Sequence, residues 1–192
     1  MKDILKPASI LLLITIVAGG LLGYVNSVTK APIEKQENDK IKASMEEVIS
    51  GAATFADTEE VTDDPDIKSV TPALDKDGNV MGYAVSVDTK GFSAGLKLMF
   101  GVDTEGSVTG LSIVDCSNET PGLGANSGDP NYKTSKGVQW AQQFTGMSGE
   151  IKVDKDGGEV EAITGATITS RAVSNAAQAS VNYIKEHKGG NK

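Results

Sequence analysis

A threonine hydroxyl beside a glycine, set where an amphipathic helix begins, is a place to hold a phosphate, and Thr164-Gly165-Ala166-Thr167 has that form. The residues that follow, Ile168-Thr169-Ser170-Arg171, lead into Val173, Ala176, Ala177, Val181 and Ile184 at helical spacing. A helix start exposes unpaired backbone N–H groups and carries a partial positive charge. Gly165 lets the backbone approach an anion closely. Thr167 is therefore a candidate carrier of a phosphate-bearing group. Ser and Thr are also common helix N-caps, so Thr167, Thr169 or Ser170 can be read as doing no more than accepting a backbone hydrogen bond. Taken alone the tetrapeptide fits that plainer reading better, because short motifs match by chance. The rest of the chain has to decide.

Two long loops remain beside the strands. Lys90-Gly91-Phe92-Ser93-Ala94-Gly95 places an aromatic among glycines between two strands. Glu119-Thr120-Pro121-Gly122-Leu123-Gly124-Ala125 combines Pro and Gly with an apolar tip, which can bring backbone N–H groups and Leu123 against a flat molecule. By itself the second loop is an ordinary Pro-Gly turn.

The elements that must position these residues read as an α+β fold, an antiparallel sheet with flanking helices. Lys68–Leu74, Val80–Thr89, Leu96–Val102 and Ser107–Cys116 have strand character. In the third, Leu96, Leu98, Phe100 and Val102 alternate with Lys97, Met99 and Gly101, the period of a sheet with one buried face. Asp75-Lys76-Asp77-Gly78 and Asp103-Thr104-Glu105-Gly106 suit tight turns, so an antiparallel meander follows. Neither Asp75–Gly78 nor Asp154-Lys155-Asp156-Gly157 has the ligand spacing of an EF-hand loop. Upstream, Pro32 opens a helical pattern with Ile41, Met45, Val48 and Ile49 on one face, closed by Gly51. The acidic stretch Asp57–Asp66 reads as a loop.

At the N-terminus no residue between Lys6 and Lys30 is charged, and Ala8–Val28 is long enough for a bilayer core, which needs about 20 residues. The run exceeds a secretory h-region of about 7 to 15 residues and has no small-residue cleavage pattern after it, so we expect an uncleaved anchor. Lys2 and Lys6 place the short end in the cytoplasm and the remainder outside. Within the span, Thr15, Gly19, Gly23 and Ser27 form a small-residue face that suits a partner membrane helix; the frequency of Gly in membrane helices explains it equally well. The expected organisation is a cytoplasmic N-terminus (1–7), a transmembrane helix (8–28), a juxtamembrane helix and linker (29–56), one globular domain (57–187) and a frayed tail (188–192).

Composition narrows the chemistry. The formal net charge of −8 belongs almost wholly to the part after the span, and no basic cluster with interleaved aromatics occurs, which argues against nucleic-acid binding. Cys116 is the single cysteine and His187, in the polar tail, the single histidine, so a disulfide or a Cys-based metal centre is not expected. No Gly-rich dinucleotide motif follows a strand.

Together, the Gly-Phe-Ser-Ala-Gly loop, the Glu-Thr-Pro-Gly-Leu-Gly loop and Glu161-Ala162-Ile163-Thr164-Gly165-Ala166-Thr167 resemble the FMN-binding domain family. With one N-terminal span and this length the chain is similar to the G subunits of the Rnf ion-translocating electron transport complexes. The resemblance implies FMN joined through its phosphate to the Thr167 hydroxyl, installed from FAD by a separate, magnesium-using flavin transferase. It implies that Glu161, Thr164, Gly165 and Ala166 shape the recognition segment and that Thr169 and Ser170 hydrogen-bond the phosphate. Glu119, Thr120, Gly122 and Leu123 would line or support the isoalloxazine ring. It further implies an inner-membrane complex that passes electrons from ferredoxin to NAD, coupled to sodium or proton movement, with no substrate turned over by this subunit alone. Partners would be iron-sulfur-bearing membrane subunits and a second membrane subunit with covalent FMN. Two positions depart from the usual motif: Glu161 stands where Asp is common, and Thr164 where Ser is common. Cys116 lies close enough in sequence to approach the ring, though a small buried residue at a strand end is the simpler reading. Trp140, Phe144 and Tyr132 either shield the ring or complete the core. Other readings are the C subunit of a sodium-pumping NADH:quinone reductase, a typically longer chain, and an anchored extracellular binding domain without redox chemistry.

Overall fold

The computed structural model describes residues 2–188, with side chains described from residue 7 onward. The charges at Lys2, Asp3 and Lys6, and the tail from 189 to 192, lie outside these. The chain divides into two units, residues 1–40 and 41–192.

The first unit is the greater part of helix α1 (Lys2–Val48). Between Pro7 and Val48 an 18-residue stretch reaches a mean hydropathy of 2.2. Its apolar side chains are bare of protein contacts, Leu22 being 71% exposed. A continuous apolar surface of this kind suits hydrocarbon, and about 20 helical residues cross it. The hydroxyls of Thr15, Ser27 and Thr29 donate to the carbonyls of Leu11, Tyr24 and Val25, so these polar groups are satisfied within the helix. The helix start expected at Pro32 is absent: Pro7 and Pro32 both lie inside α1. Pro32 forfeits one ladder bond, but the residues after it are mostly good helix formers without a glycine to stop them, so the helix continues.

The second unit is a six-stranded antiparallel sheet with a helix across it. Strands β1 (Thr54–Phe55), β2 (Glu59–Glu60), β3 (Ile67–Leu74), β4 (Val80–Lys90), β5 (Ala94–Asp103) and β6 (Val108–Asp115) run in the order β1-β3-β4-β5-β6, with β2 also on β3. The four long strands form the expected meander. The Asp75 and Asp103 carboxylates each accept two backbone N–H bonds within their hairpin turns. The acidic stretch expected to be only a loop contains β2, where Glu59 and Glu60 pair with Val70 and Ser69. A two-residue edge ladder needs only backbone, so its exposed glutamates carry no apolar alternation to read.

On one face of the sheet lies helix α2 (Thr167–His187), whose Val173, Ala176, Ala177, Val181 and Ile184 are buried against Val85, Leu98, Phe100 and Val102. Fully burying a side chain such as Ile184 contributes about 1.5–3 kcal/mol. Lys185 and His187 in the last turn suit the negative end of the helix. His187 is ordered there, stacked on Tyr183 with ring centroids 4.2 Å apart. Trp140 and Phe144 meet edge to face at 5.4 Å and are fully buried, and Tyr132 packs on the same cluster, so these aromatics complete the core.

The opposite face is also buried, contrary to the one-sided sheet that the β5 alternation predicts. Val48, Ile49, Ala73, Ala84 and Met99 form a second cluster, joined by Ile41 and Met45. The α1 end is tied down by the Thr109 hydroxyl, which donates to the Val48 carbonyl at 2.6 Å, and by Ser112, which donates to Glu47 at 2.6 Å. Its backbone approaches so closely that a Cβ at Gly101 would overlap the Val48 carbonyl oxygen and Thr109 Oγ1. Gly101→Ala is therefore expected to destabilise by about 1–3 kcal/mol through overpacking. At roughly 2–4 °C per kcal/mol for a chain of this size, a thermal melt of the detergent-solubilised protein reads the change, and an unaltered midpoint would refute the close packing.

Candidate functional site

Residues 116–166 hold few regular elements: three single 3-10 turns at Gly124–Gly128, Trp140–Phe144 and Asp154–Asp156. They bring the Glu119–Ala125 loop to the start of α2. Between these and the β4–β5 hairpin tip lies a cavity of about 340 Å3, lined by Phe92, Thr120, Leu123 and Gly124 from the loops and by residues 165–169 of the helix start. Its size falls at the low end of small-molecule sites, which span about 300–1,000 Å3.

The helix start that forms its floor carries polar groups without partners. Helix α2 has Ala166 as its N-cap residue, with no side-chain capping bond. The Ala166 amide donates to Ile163 and the Ser170 amide to Ala166, which leaves the N–H groups of Thr167, Ile168 and Thr169 without a partner among the described residues. The half-buried Thr167 hydroxyl likewise makes no hydrogen bond there. The plain-cap reading of Thr167 thus does not describe this helix start. Gly165 precedes it at φ +77°, a left-handed turn that glycine adopts freely.

The rim is apolar. Phe92, Leu123 and Ile168 are 64%, 40% and 54% exposed, yet all three face the same cavity. Large exposed apolar side chains gathered at one place mark a surface that a ligand or partner covers. The expected site residues leave out Phe92 and Ile168. A large apolar residue isolated in a polar or Gly-flanked surface segment is the signal that would have found them.

Of the residues expected at the site, Thr120, Leu123, Gly165, Ala166, Thr167 and Thr169 line the cavity. Gly122 and Thr164 are exposed beside it and do not line it. Thr169 and Ser170 are buried and their hydroxyls are committed elsewhere. Thr169 donates to Glu119 Oε2 at 2.6 Å. Ser170 donates to the Ala166 carbonyl and accepts from the Ile163 amide, both at 3.0 Å. These hydroxyls tie the helix start to Glu119, Ile163 and the Ala166 carbonyl. Arg171, in the first turns of α2, is held by Asp156 in a two-pronged pair at 2.6 and 2.7 Å. That pairing keeps the Asp156 carboxyl below its usual range, so Arg171 stays engaged at neutral pH and is released only in acid, as the pH falls through the lowered value. Glu161 binds the Ser135 amide and hydroxyl at 2.7 and 2.5 Å and accepts Trp140 Nε1 on its carbonyl. Its carboxylate lines a different, larger cavity of about 740 Å3 with Lys136, Asp154 and Glu159. Asp154, Glu159 and Glu161 give that cavity three carboxylates against Lys136, which disfavours an anion, so the smaller one is the better candidate for phosphate chemistry. Cys116 does not line the 340 Å3 cavity. Its thiol faces the Ala125 carbonyl at 3.7 Å, and burial pushes its pKa up, which keeps it protonated at neutral pH.

The floor fits FMN by its chemistry: a nucleophilic hydroxyl and unpaired donors at a positive helix end suit a phosphate, and the apolar rim suits an aromatic ring. Residues 91–182, which contain every lining residue, match the FMN-binding domain family, and residues 1–48, which end where α1 ends, match the RnfG N-terminal region. The chain is 32% identical to the G subunit of an ion-translocating oxidoreductase complex from Methanosarcina acetivorans, over 98% of each chain. It is 32% identical to the G subunit of a Na(+)-translocating ferredoxin:NAD(+) oxidoreductase complex from Acetobacterium woodii, over 96% of this chain and 93% of that one. The G subunit of a proton-translocating ferredoxin:NAD(+) oxidoreductase complex from Clostridium ljungdahlii is 32% identical over 62% of this chain and 61% of its own.

Proposed function

Because the chain belongs to the family of G subunits of ion-translocating oxidoreductase complexes, we propose that it is the membrane-anchored electron-transfer subunit of such a ferredoxin:NAD+ oxidoreductase, with FMN held covalently at Thr167. The observation that carries the assignment is the uncapped start of α2, where a free threonine hydroxyl and three unpaired N–H groups open into an apolar-rimmed cavity. FMN, once bound, supplies one- and two-electron chemistry that links unlike carriers. Thr167 Oγ1 would hold the group as a phosphodiester, which a separate flavin transferase would form by breaking the phosphoanhydride of FAD, with AMP leaving and the hydroxyl proton released. The N–H groups of residues 167–169 would stabilise its phosphodiester charge, and Phe92, Leu123 and Ile168 would offer the ring an apolar surface.

A covalent bond suits a domain outside the inner membrane, where free FMN is not expected to replace what dissociates. We therefore place the N-terminus in the cytoplasm and residues beyond the span outside; protease added to spheroplasts should degrade the domain, and full protection would reverse the orientation. Iron-sulfur-bearing membrane subunits and a second subunit with covalent FMN are the proposed neighbours, and NAD binds elsewhere in the complex. The sodium-named and proton-named relatives are equally identical to this chain, so we assign the choice of ion to other subunits. Coexpression with a flavin transferase tests the reading: intact mass should rise by one FMN unit, and the denatured band should fluoresce. Colourless, unmodified protein would overturn it.

A further inference from the structure

We propose that Glu119 is the positioning residue of this site, the strut that locks the Phe92 loop and the first turn of α2 into one cradle; the inference rests on the flavin reading above. Glu119 is 3% exposed, an unusual place for a carboxylate. Burial without partners would cost several kcal/mol, and here both oxygens are engaged. Oε1 accepts the Ser93 N–H at 3.0 Å, and Oε2 accepts the Thr169 hydroxyl at 2.6 Å. These partners lie 26 and 50 residues away in sequence, so one side chain joins three separate segments.

Each contact sits next to a residue that faces the ring cavity. Ser93 follows Phe92, Thr169 follows Ile168, and Glu119 itself begins the loop that carries Leu123. Glu119 is not among the lining residues, so it acts through these neighbours. The surroundings are cleared for it. A Cβ at Gly91 would lie 2.5 Å from Oε1, and one at Gly124 would overlap Oε2 and lie 2.6 Å from Thr169 Oγ1. Two glycines on two walls thus admit the same carboxylate. Charge-assisted hydrogen bonds are about twice as strong as neutral ones, which makes this a stiff joint.

The test uses the full chain in detergent, with and without FMN attached by a flavin transferase. In Glu119→Ala the Ser93 amide should exchange with deuterium at least tenfold faster in the unloaded protein. Loaded Glu119→Ala and Thr169→Val should show lower flavin anisotropy, brighter emission and a shifted midpoint potential. Glu119→Gln, which still offers an acceptor to Ser93 but loses the charge and must turn the Thr169 bond round, should restore part of the native anisotropy. Native exchange, anisotropy and potential in Glu119→Ala would overturn the proposal. If that variant does not fold by circular dichroism, native flavin signals in Thr169→Val would overturn it instead. A parent chain that gains no FMN mass would overturn the flavin reading itself, and this inference with it, whereas a loaded parent with unaltered variants sinks only the role of Glu119.

Discussion

Thr167→Ala should yield a folded protein with no covalent flavin: no FMN increment in the intact mass, no fluorescent band after denaturation, and electron transfer through the assembled complex reduced to background. The loss should be complete because the bond has no substitute. Thr164 does not line the cavity, Thr169 and Ser170 are buried with their hydroxyls engaged, and Thr120, the other lining hydroxyl, stands on the Glu119–Ala125 loop and not at the helix start whose N–H groups suit a phosphate. Stability should hardly move. Thr167 is half-buried, caps nothing and makes no side-chain hydrogen bond among the described residues, and substitutions at such positions usually stay within about 0.5 kcal/mol. An unchanged melting midpoint with colourless protein therefore separates the loss of an attachment atom from the loss of a fold. Thr167→Ser keeps a hydroxyl and should retain part of the labelling. Covalent flavin surviving in Thr167→Ala would refute the site.

The place of Thr167 at a helix start could be read from sequence because its signal is local: a glycine, a hydroxyl and the onset of a 3.6-residue apolar period all lie within a few positions. The same holds for Val173, Ala176, Ala177, Val181 and Ile184, and for the hairpins closed by Asp75 and Asp103. What the sequence obscured depends on partners far along the chain. Met99 and Gly101 read as the solvent side of β5, because nothing nearby announces that the end of α1 returns to cover them. Pro32 reads as a helix start, since the cost of one missing bond is judged without the residues that carry the helix past it. Thr169 and Ser170 were expected on the phosphate. A hydroxyl's type is visible in sequence, but its direction is set by Glu119 and Ile163, which share no spacing rule with it. Glu119 itself was expected near the ring; only the fold shows that it reaches the cavity through its neighbours.

Gly165→Val should have the second largest effect, lowering FMN attachment at least tenfold and destabilising the protein as well. Two independent costs converge there. The backbone sits at φ +77°, a region that costs a residue with a side chain about 1–2 kcal/mol and more when it is β-branched. A Cβ would also lie 2.9 Å from Leu123 Cδ2, so the new side chain pushes on the residue that walls the cavity. Relaxing the backbone toward negative φ would re-aim the N–H groups of residues 167–169, which removes the phosphate-holding geometry even where the fold survives. Gly165→Ala separates the two costs. It keeps the backbone penalty but makes a smaller clash, and adding Leu123→Ala should relieve what clash remains. If steric pressure on Leu123 dominates, the double variant recovers attachment beyond the sum of the single effects; if the left-handed turn dominates, Leu123→Ala brings no recovery. Native attachment in Gly165→Val would mean that neither the turn nor the wall it presses on is needed to present Thr167.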